Sequence, residues 1–437
     1  MKICILSSGS AGMYCGSCMR DNALASALMR MKHEVTLIPL HTPTRTDVKD
    51  VSEKHVYLGG INVYLQHASK VFRHLPKPFR WMLDRPWVLN WAGQYGSKKQ
   101  YSELGDLTLD LLRGSDGMAI EEIRRLADFI RDTLKPDVVS LPNLMFMGVA
   151  RIFREELKIP VICELTGEDI FLDALSPADR KSARELILQQ VPYVNQFVAT
   201  SYSYAGKMAG YLNLPVEKIR IVYPGLPKEF LESVAVEKQT ISAIASAIRP
   251  RTVGYMARIC PEKGIDKLID AMLNLRETQG FSDVQLQCAG YLGKRDVEFF
   301  EKLQRKVSLS SMRGSVHFLG EVDQEQKINL LLSSDVFCVP TVYEESKGIY
   351  VLEALACGVP VVQPAHGSFP ELLQATQGGL TVRPGDAVGL AKSLAELLND
   401  PDRSKAIGQN AATIVHEKFT DVQMAENMLK IYNEARG

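Results

Sequence analysis

This chain of 437 residues has no surplus of charge: 51 lysines and arginines balance 51 aspartates and glutamates. A protein whose main partner is nucleic acid carries a basic excess to meet the phosphate backbone, so that class is set aside. No stretch approaches the roughly 18 consecutive apolar residues needed to cross a bilayer. The apolar start at residues 3–6 is too brief for the core of a signal peptide, and the expected location is cytoplasmic. The eight cysteines are too scattered for a disulfide framework. Cys4, Cys163, Cys288 and Cys338 sit in apolar, strand-like runs where thiols pack as small hydrophobes. Cys15-Gly16-Ser17-Cys18 is different, but a zinc site would need two further ligands and no matching second pair exists. A structural or acceptor-lining role therefore ranks ahead of a redox one. Short-period repeats and low-complexity tracts are also missing.

What remains is an ordinary globular composition, 46% hydrophobic and 23% charged, in a chain long enough for two or three domains. Residues 2–6 read as a first strand and Gly9-Ser10-Ala11-Gly12 as a flexible turn. Residues 22–31 read as an alanine- and leucine-rich helix leading into a strand at 35–40. The pattern continues to a last strand at 219–223, which places a first α/β domain at 1–225. A polar stretch, 226–251, has no strong strand and reads as a linker or peripheral helix. From Thr252 the alternation resumes, with strands at 284–290, 316–320 and 335–340 that end in glycine or proline on the side where ligands bind, giving a second domain at 252–419. An amphipathic helix closes the chain at 420–437.

The most telling run is Pro340-Thr341-Val342-Tyr343-Glu344-Glu345-Ser346-Lys347-Gly348-Ile349-Tyr350-Val351-Leu352-Glu353-Ala354-Leu355-Ala356-Cys357-Gly358-Val359-Pro360. A buried strand precedes it, and Gly358 with Pro360 stops its helix. Glu345 then lies in the loop at the strand's carboxyl end, and the helix opens near Gly348. There no side chain obstructs a ligand, and the amides of Gly348, Ile349 and Tyr350 point outward with the positive end of the helix dipole. A phosphate suits that end. Glu353, about one turn in, leans back toward it and can accept bonds from hydroxyls beside the phosphates.

With its surroundings this run resembles the family 4 glycosyltransferases, which retain anomeric configuration and have the GT-B fold. The family's Glu-x7-Glu places the first glutamate, here Glu345, on the transferred sugar and the second, here Glu353, on the nucleotide ribose. Lys347 stands where the family commonly has Phe. A second segment, Gly254-Tyr255-Met256-Ala257-Arg258 through Lys263-Gly264, resembles the family's Gly-Arg-x-x-x-x-Lys-Gly pattern. By that resemblance Arg258 and Lys263 hold the diphosphate, whose departing charge a guanidinium and an ammonium can stabilise without a metal. The glycine turn near the amino end resembles the family's first unit, with Gly12 as the expected donor contact, and Gly290 joins the donor-binding set at its strand end. The resemblance implies an α/β, GT-B architecture: two doubly wound Rossmann-like domains facing each other across a cleft, with the last helix crossing back to the first domain.

The resemblance thins in the first domain. Pro136-Asp137-Val138-Val139-Ser140-Leu141-Pro142 resembles the family's Pro-Asp-Val-Val-His-x-His, with Ser140 and Pro142 replacing both histidines. Thr166 stands where a further family histidine lies near the reacting sugar. Three readings stay open: Glu168 or Asp169 takes over part of the role, the reaction proceeds without a side-chain base, or the protein is an inactive sugar-nucleotide-binding regulator. A GT-B hydrolase or phosphorylase is a further alternative, although paired glycosidase carboxylates flank one bond at roughly 5 to 10 Å rather than a helix end. The expected function is a metal-independent, retaining hexosyltransferase using a nucleotide-diphosphate sugar, with no other cofactor and a glycan, lipid or small-molecule hydroxyl as acceptor. Residues 69–101 carry Lys70, Arg73, Lys77, Arg80, Arg85, Lys98 and Lys99 with Trp81, Trp87 and Trp91. This insertion suits a sugar-stacking lid or a surface touching anionic lipid, with a small packed core as the alternative.

Overall fold

The computed structural model describes residues 1–9, 15–57, 105–244, 249–278 and 281–437. Gly12 and the basic, Trp-rich segment 69–101 lie outside the described residues. The chain divides into two compact units, Met1–Tyr223 with Asp421–Gly437, and Pro224–Thr420.

In the first unit, strands β1 (Lys2–Ser7), β2 (Glu34–Pro39), β3 (Val138–Leu141), β4 (Val161–Leu165), β5 (Gln196–Ala199) and β6 (Ile219–Ile221) form one parallel sheet in the order β2-β1-β3-β4-β5-β6. The central strands are apolar on both faces because both faces are covered. Ile3 and Ile5 join Val138, Ile162 and Val198 in one core, while Cys4 and Leu6 join Val139, Leu141 and Cys163 in the other, as a period of two requires. Each such Ile or Leu contributes roughly 1.5–3 kcal/mol by leaving water.

Helix α1 (Gly16–Arg30) starts earlier than the expected residue 22. Asn22 looked like a helix-start residue, yet it is buried inside α1 and clasps another loop: its Nδ2 donates to the Lys49 carbonyl at 2.9 Å and its Oδ1 accepts from Val51 N at 2.9 Å. Helix α2 (Tyr202–Leu212) follows β5 and is capped by Ser201, whose hydroxyl accepts from Tyr204 N.

In the second unit, helix α3 (Lys228–Ile244) comes first, so the stretch read as a linker or peripheral helix is largely helical. Its Phe230 and Val234, four residues apart on one face, are buried, while Glu229 and Glu232 face solvent. Strands β7 (Thr252–Met256), β8 (Gln285–Ala289), β9 (Val316–Gly320), β10 (Val336–Phe337), β11 (Val361–Pro364) and β12 (Gly379–Val382) form a second parallel sheet, ordered β12-β11-β10-β7-β8-β9. Strand β10 is shorter than its apolar run suggests because, past Phe337, the Val339 amide goes to the Gln363 side chain instead of a ladder partner. Helices α4 (Ile265–Thr278), α5 (Gln324–Leu332), α6 (Ile349–Ala356) and α7 (Phe369–Thr376) complete the part of this unit that bears the site.

The last helix, α8 (Asp421–Arg436), belongs to the first unit. It packs beside α1, with Met424, Met428, Ile431 and Tyr432 in the shared core, and Arg30 pairs with Asp421 at 2.5 Å. Among the described residues no helix is long and apolar enough to cross a membrane.

Candidate active site

Two loops at the carboxyl ends of β7 and β10 build the centre of the second unit. The β7 loop carries Arg258 and then the single turn Pro261–Lys263, closed by Gly264 at φ +69°. A Cβ on Gly264 would lie 1.8 Å from the Pro340 carbonyl oxygen, so only glycine lets the β10 loop approach this closely. Val342 N then donates to the Glu262 carbonyl at 3.0 Å, locking the loops together. Gly348, also left-handed at φ +65°, turns the chain into α6, and a Cβ there would meet Leu372 Cδ1 at 2.7 Å.

These constraints deliver Lys263 to Glu345. The ammonium donates to Glu345 Oε2 at 2.7 Å and to the Tyr343 hydroxyl at 2.5 Å. Tyr343 and Tyr350 donate to the same carboxylate oxygen at 2.9 and 3.2 Å, and Lys347 N reaches Oε1 at 3.3 Å. Both tyrosine ring centroids lie 5.0 Å from the ammonium. Tyr350 is itself set between Phe337 and Phe369. Burial alone would raise the Glu345 pKa, but the charges of Lys263 and Lys347 and the bonds from Lys263 and Tyr343 outweigh it and hold the carboxyl at about 2. Burial, with Glu345 beside them, pushes both tyrosines well above their ordinary value, so they remain hydroxyl donors.

Arg258 lies a third exposed on the same loop, its Nε donating to Cys260 Sγ at 3.2 Å and its Nη2 3.7 Å from Glu262. Residues 257 and 259, on either side of it, bond to Ala289 and Tyr291, which places Gly290 against this loop. The structure thus groups Arg258, Lys263, Gly290, Glu345, Gly348, Ile349 and Tyr350. Glu353 lies further along α6, buried, with Lys327 Nζ 2.6 Å from its Oε1. Sequence reading missed Tyr343 and Lys327 as members of this network: a tyrosine in a loop and a lysine in an apolar-rich helix carry no distinguishing pattern. Tyr350 was read only for its backbone amide.

The first unit holds Glu168 and Asp169. Glu168 Oε2 accepts from Thr166 N at 2.8 Å and from the Tyr204 hydroxyl at 3.2 Å, and Oε1 accepts from Leu144 N at 3.3 Å. Burial raises its pKa despite these bonds. Asp169 accepts from Tyr204 at 2.9 Å and pairs with Lys207 at 2.6 Å. Glu168 is thus tied to backbone on both oxygens, whereas Asp169 faces a partly exposed lysine. Two of the replaced histidine positions touch, Thr166 Oγ1 donating to the Pro142 carbonyl at 3.1 Å, while the third, Ser140, donates to Glu164 at 2.8 Å.

Cys15 flanks the start of α1 and Cys18 is buried in its first turn. Among the described residues no group of three or more His, Cys, Asp or Glu is gathered to hold a metal ion. Cys15→Ser with Cys18→Ser is expected to keep turnover within a few-fold of the parent under reducing conditions, since a small buried thiol such as Cys18 acts through packing. A complete loss in a folded double variant would assign them a thiol or metal role.

Residues 237–413 match the family described as glycosyl transferases group 1. An uncharacterized glycosyltransferase of Methanocaldococcus jannaschii is 25% identical over 424 residues, covering 96% of this chain and 94% of that protein. A phosphatidyl-myo-inositol mannosyltransferase of Mycobacterium leprae is 32% identical over 184 residues, 42% of this chain and 46% of that one. The match to the mycobacterial enzyme thus spans less than half of it. Among solved structures, sucrose-phosphate synthase from Thermosynechococcus elongatus superposes with a TM-score of 0.70 at 17% identity, covering 99% of this chain and 98% of that one. Anabaena HepE in complex with UDP gives 0.67 at 17% identity, covering 99% and 100%. Residues 237–413 of the second unit thus resemble the glycosyl transferases group 1, and the two parallel-sheet units have the fold of the GT-B glycosyltransferases.

Proposed function

We propose that this protein is a retaining glycosyltransferase that moves a hexose from a nucleotide-diphosphate sugar to a hydroxyl acceptor without a metal ion. The observation that carries this reading is the Lys263–Glu345 pair at the opening of α6, ringed by Tyr343 and Tyr350. An ammonium, the Arg258 guanidinium and the amino end of α6 suit a diphosphate, while a permanently ionised Glu345 suits the positive charge that develops at the anomeric carbon. Glu353 takes the ribose. The anomeric C–O bond breaks with its electron pair passing to the β-phosphate. The acceptor oxygen bonds that carbon from the same face, and the departing phosphate oxygen takes the acceptor's proton. Such a route needs no side-chain base, which fits a Thr166 whose hydroxyl is occupied by Pro142. Asp169 is the remaining side-chain candidate for assisting that proton. The UDP complex of a structural neighbour and the lipid acceptor in the mannosyltransferase's name support a nucleotide-sugar donor and a lipid-linked acceptor.

A panel of UDP-, GDP-, ADP- and TDP-sugars scored by thermal unfolding tests the donor, because a ligand that binds only the folded state raises its stability. At least one donor is expected to raise Tm by several degrees, and none doing so would overturn the reading. Transfer or slow donor hydrolysis is expected to persist in excess chelator, since Arg258, Lys263 and the α6 amides carry the neutralising charge. A requirement for Mg²⁺ or Mn²⁺ would refute metal independence.

A further inference from the structure

Three elements converge behind the proposed ribose carboxylate. Helix α5 begins with a capping box: Asp323 Oδ1 accepts from Gln326 N at 2.8 Å and Gln326 Oε1 accepts from Asp323 N at 3.1 Å. Lys327 N then closes the first helical bond to the Asp323 carbonyl at 2.9 Å, which fixes the root of the Lys327 side chain. Its ammonium lies 5.0 Å over the Phe230 ring of α3 and 2.6 Å from Glu353 Oε1 of α6. Both side chains of the pair are only 7% exposed.

We infer that Lys327 is a positioning residue for donor recognition, holding the Glu353 carboxylate in the one orientation from which it can read the ribose diol. This rests on the nucleotide-sugar reading above and deepens it. A carboxylate buried without a cation loses its charge or turns toward water, and either change weakens its bonds to hydroxyls. One cation does not exhaust it, because an ionised carboxylate offers about four acceptor sites. Lys327 is rigid where a surface lysine would be mobile: the cap holds its backbone, the Phe230 ring backs its ammonium, and Glu353 takes its charge. The ribose contact therefore depends on a residue that need not touch the nucleotide.

The test compares UDP, GDP and ADP with their 2′,3′-dideoxy counterparts by calorimetry or by thermal shift. The parent protein is expected to prefer the natural nucleotide by about tenfold or more, the worth of a hydrogen bond to a charged group. Lys327→Met is expected to bring the two within about twofold. Lys327→Gln, which keeps a hydrogen-bonding group beside Glu353 and is less prone to misfold, should fall between, and Lys327→Arg should restore the preference. A residue that only supports the fold would weaken both nucleotides together and leave their ratio unchanged. A folded Lys327→Gln or Lys327→Met that discriminates like the parent overturns the assignment of Lys327 alone. Absence of binding by all three diphosphates to the parent overturns the donor-site reading and this inference with it.

Discussion

Lys263→Ala is expected to lose donor binding and to destabilise the second unit together. Glu345 would remain buried among Tyr343, Tyr350 and the Lys347 amide without its nearest cation. Removing one partner of a buried ion pair costs about 3–5 kcal/mol. For a domain of about 200 residues that lowers Tm by roughly 10 °C. The Glu345 pKa leads to a similar size. Its folded value of about 2 lies below the ordinary 4.5, so the group stabilises the fold above about pH 4.5 and that contribution drains away as pH falls toward 2. The shift corresponds to about 3 kcal/mol. Parent and Glu345→Gln should therefore differ most in stability near neutral pH and converge in acid, as urea unfolding across pH would measure. On catalysis the two residues should part: Lys263→Ala and Arg258→Ala weaken nucleotide affinity by about 10–100-fold, the loss of a charge-assisted bond. Glu345→Gln instead lowers kcat by about 100-fold, as removal of a group that stabilises transition-state charge does. Unchanged nucleotide affinity in Arg258→Ala and Lys263→Ala would remove the diphosphate assignment.

The parts of this site that the sequence made legible are those set by backbone and by charge. Glycines at 264 and 348 mark places where the chain must turn left-handed or let a loop approach, and the lysine and glutamates beside them were readable as ligand groups. The two sheets were legible for a similar reason: a parallel strand covered on both faces must be largely apolar, as residues 3–6 and 161–163 are. What escaped was long-range polar pairing. Lys327 and Glu353 are 26 residues apart, and Lys263 and Tyr343 are 80 apart, so nothing local marks them as neighbours. Local signals also misled where a polar residue does tertiary work. Asn22 resembles a helix start but serves the loop at 49–51, and the polar look of 226–251 hides the two apolar residues that make α3 part of the second unit.

The largest effect expected in the first unit lies at Arg20. The residue is 1% exposed, and its guanidinium pairs through Nη1 with Glu164 of β4 and, at 3.4 Å, with Asp21, while Glu164 also accepts from Ser140 of β3. Burial first, then the charge of Glu164, raises Asp21 to about 8, so near neutrality Asp21 is mostly protonated beside the Arg20–Glu164 ion pair. One cation then faces one anion. Arg20→Met strands Glu164, and Glu164→Gln strands Arg20. Each is expected to cost about 3–5 kcal/mol, or roughly 10 °C in Tm, and to loosen the contact among α1, β3 and β4. The double variant Arg20→Met with Glu164→Met leaves no buried charge uncompensated and should recover much of the loss, since apolar replacement of a whole buried pair is often neutral or stabilising. Asp21→Asn should be tolerated, and it should gain on the parent as pH rises. The parent's Asp21, with a folded pKa above its unfolded one, becomes progressively unfavourable between about pH 4 and 8. Thermal unfolding of the four variants at pH 6 and pH 9 settles the point: equal losses in the single and double variants would show that Arg20 acts through packing of its stem rather than through its charge.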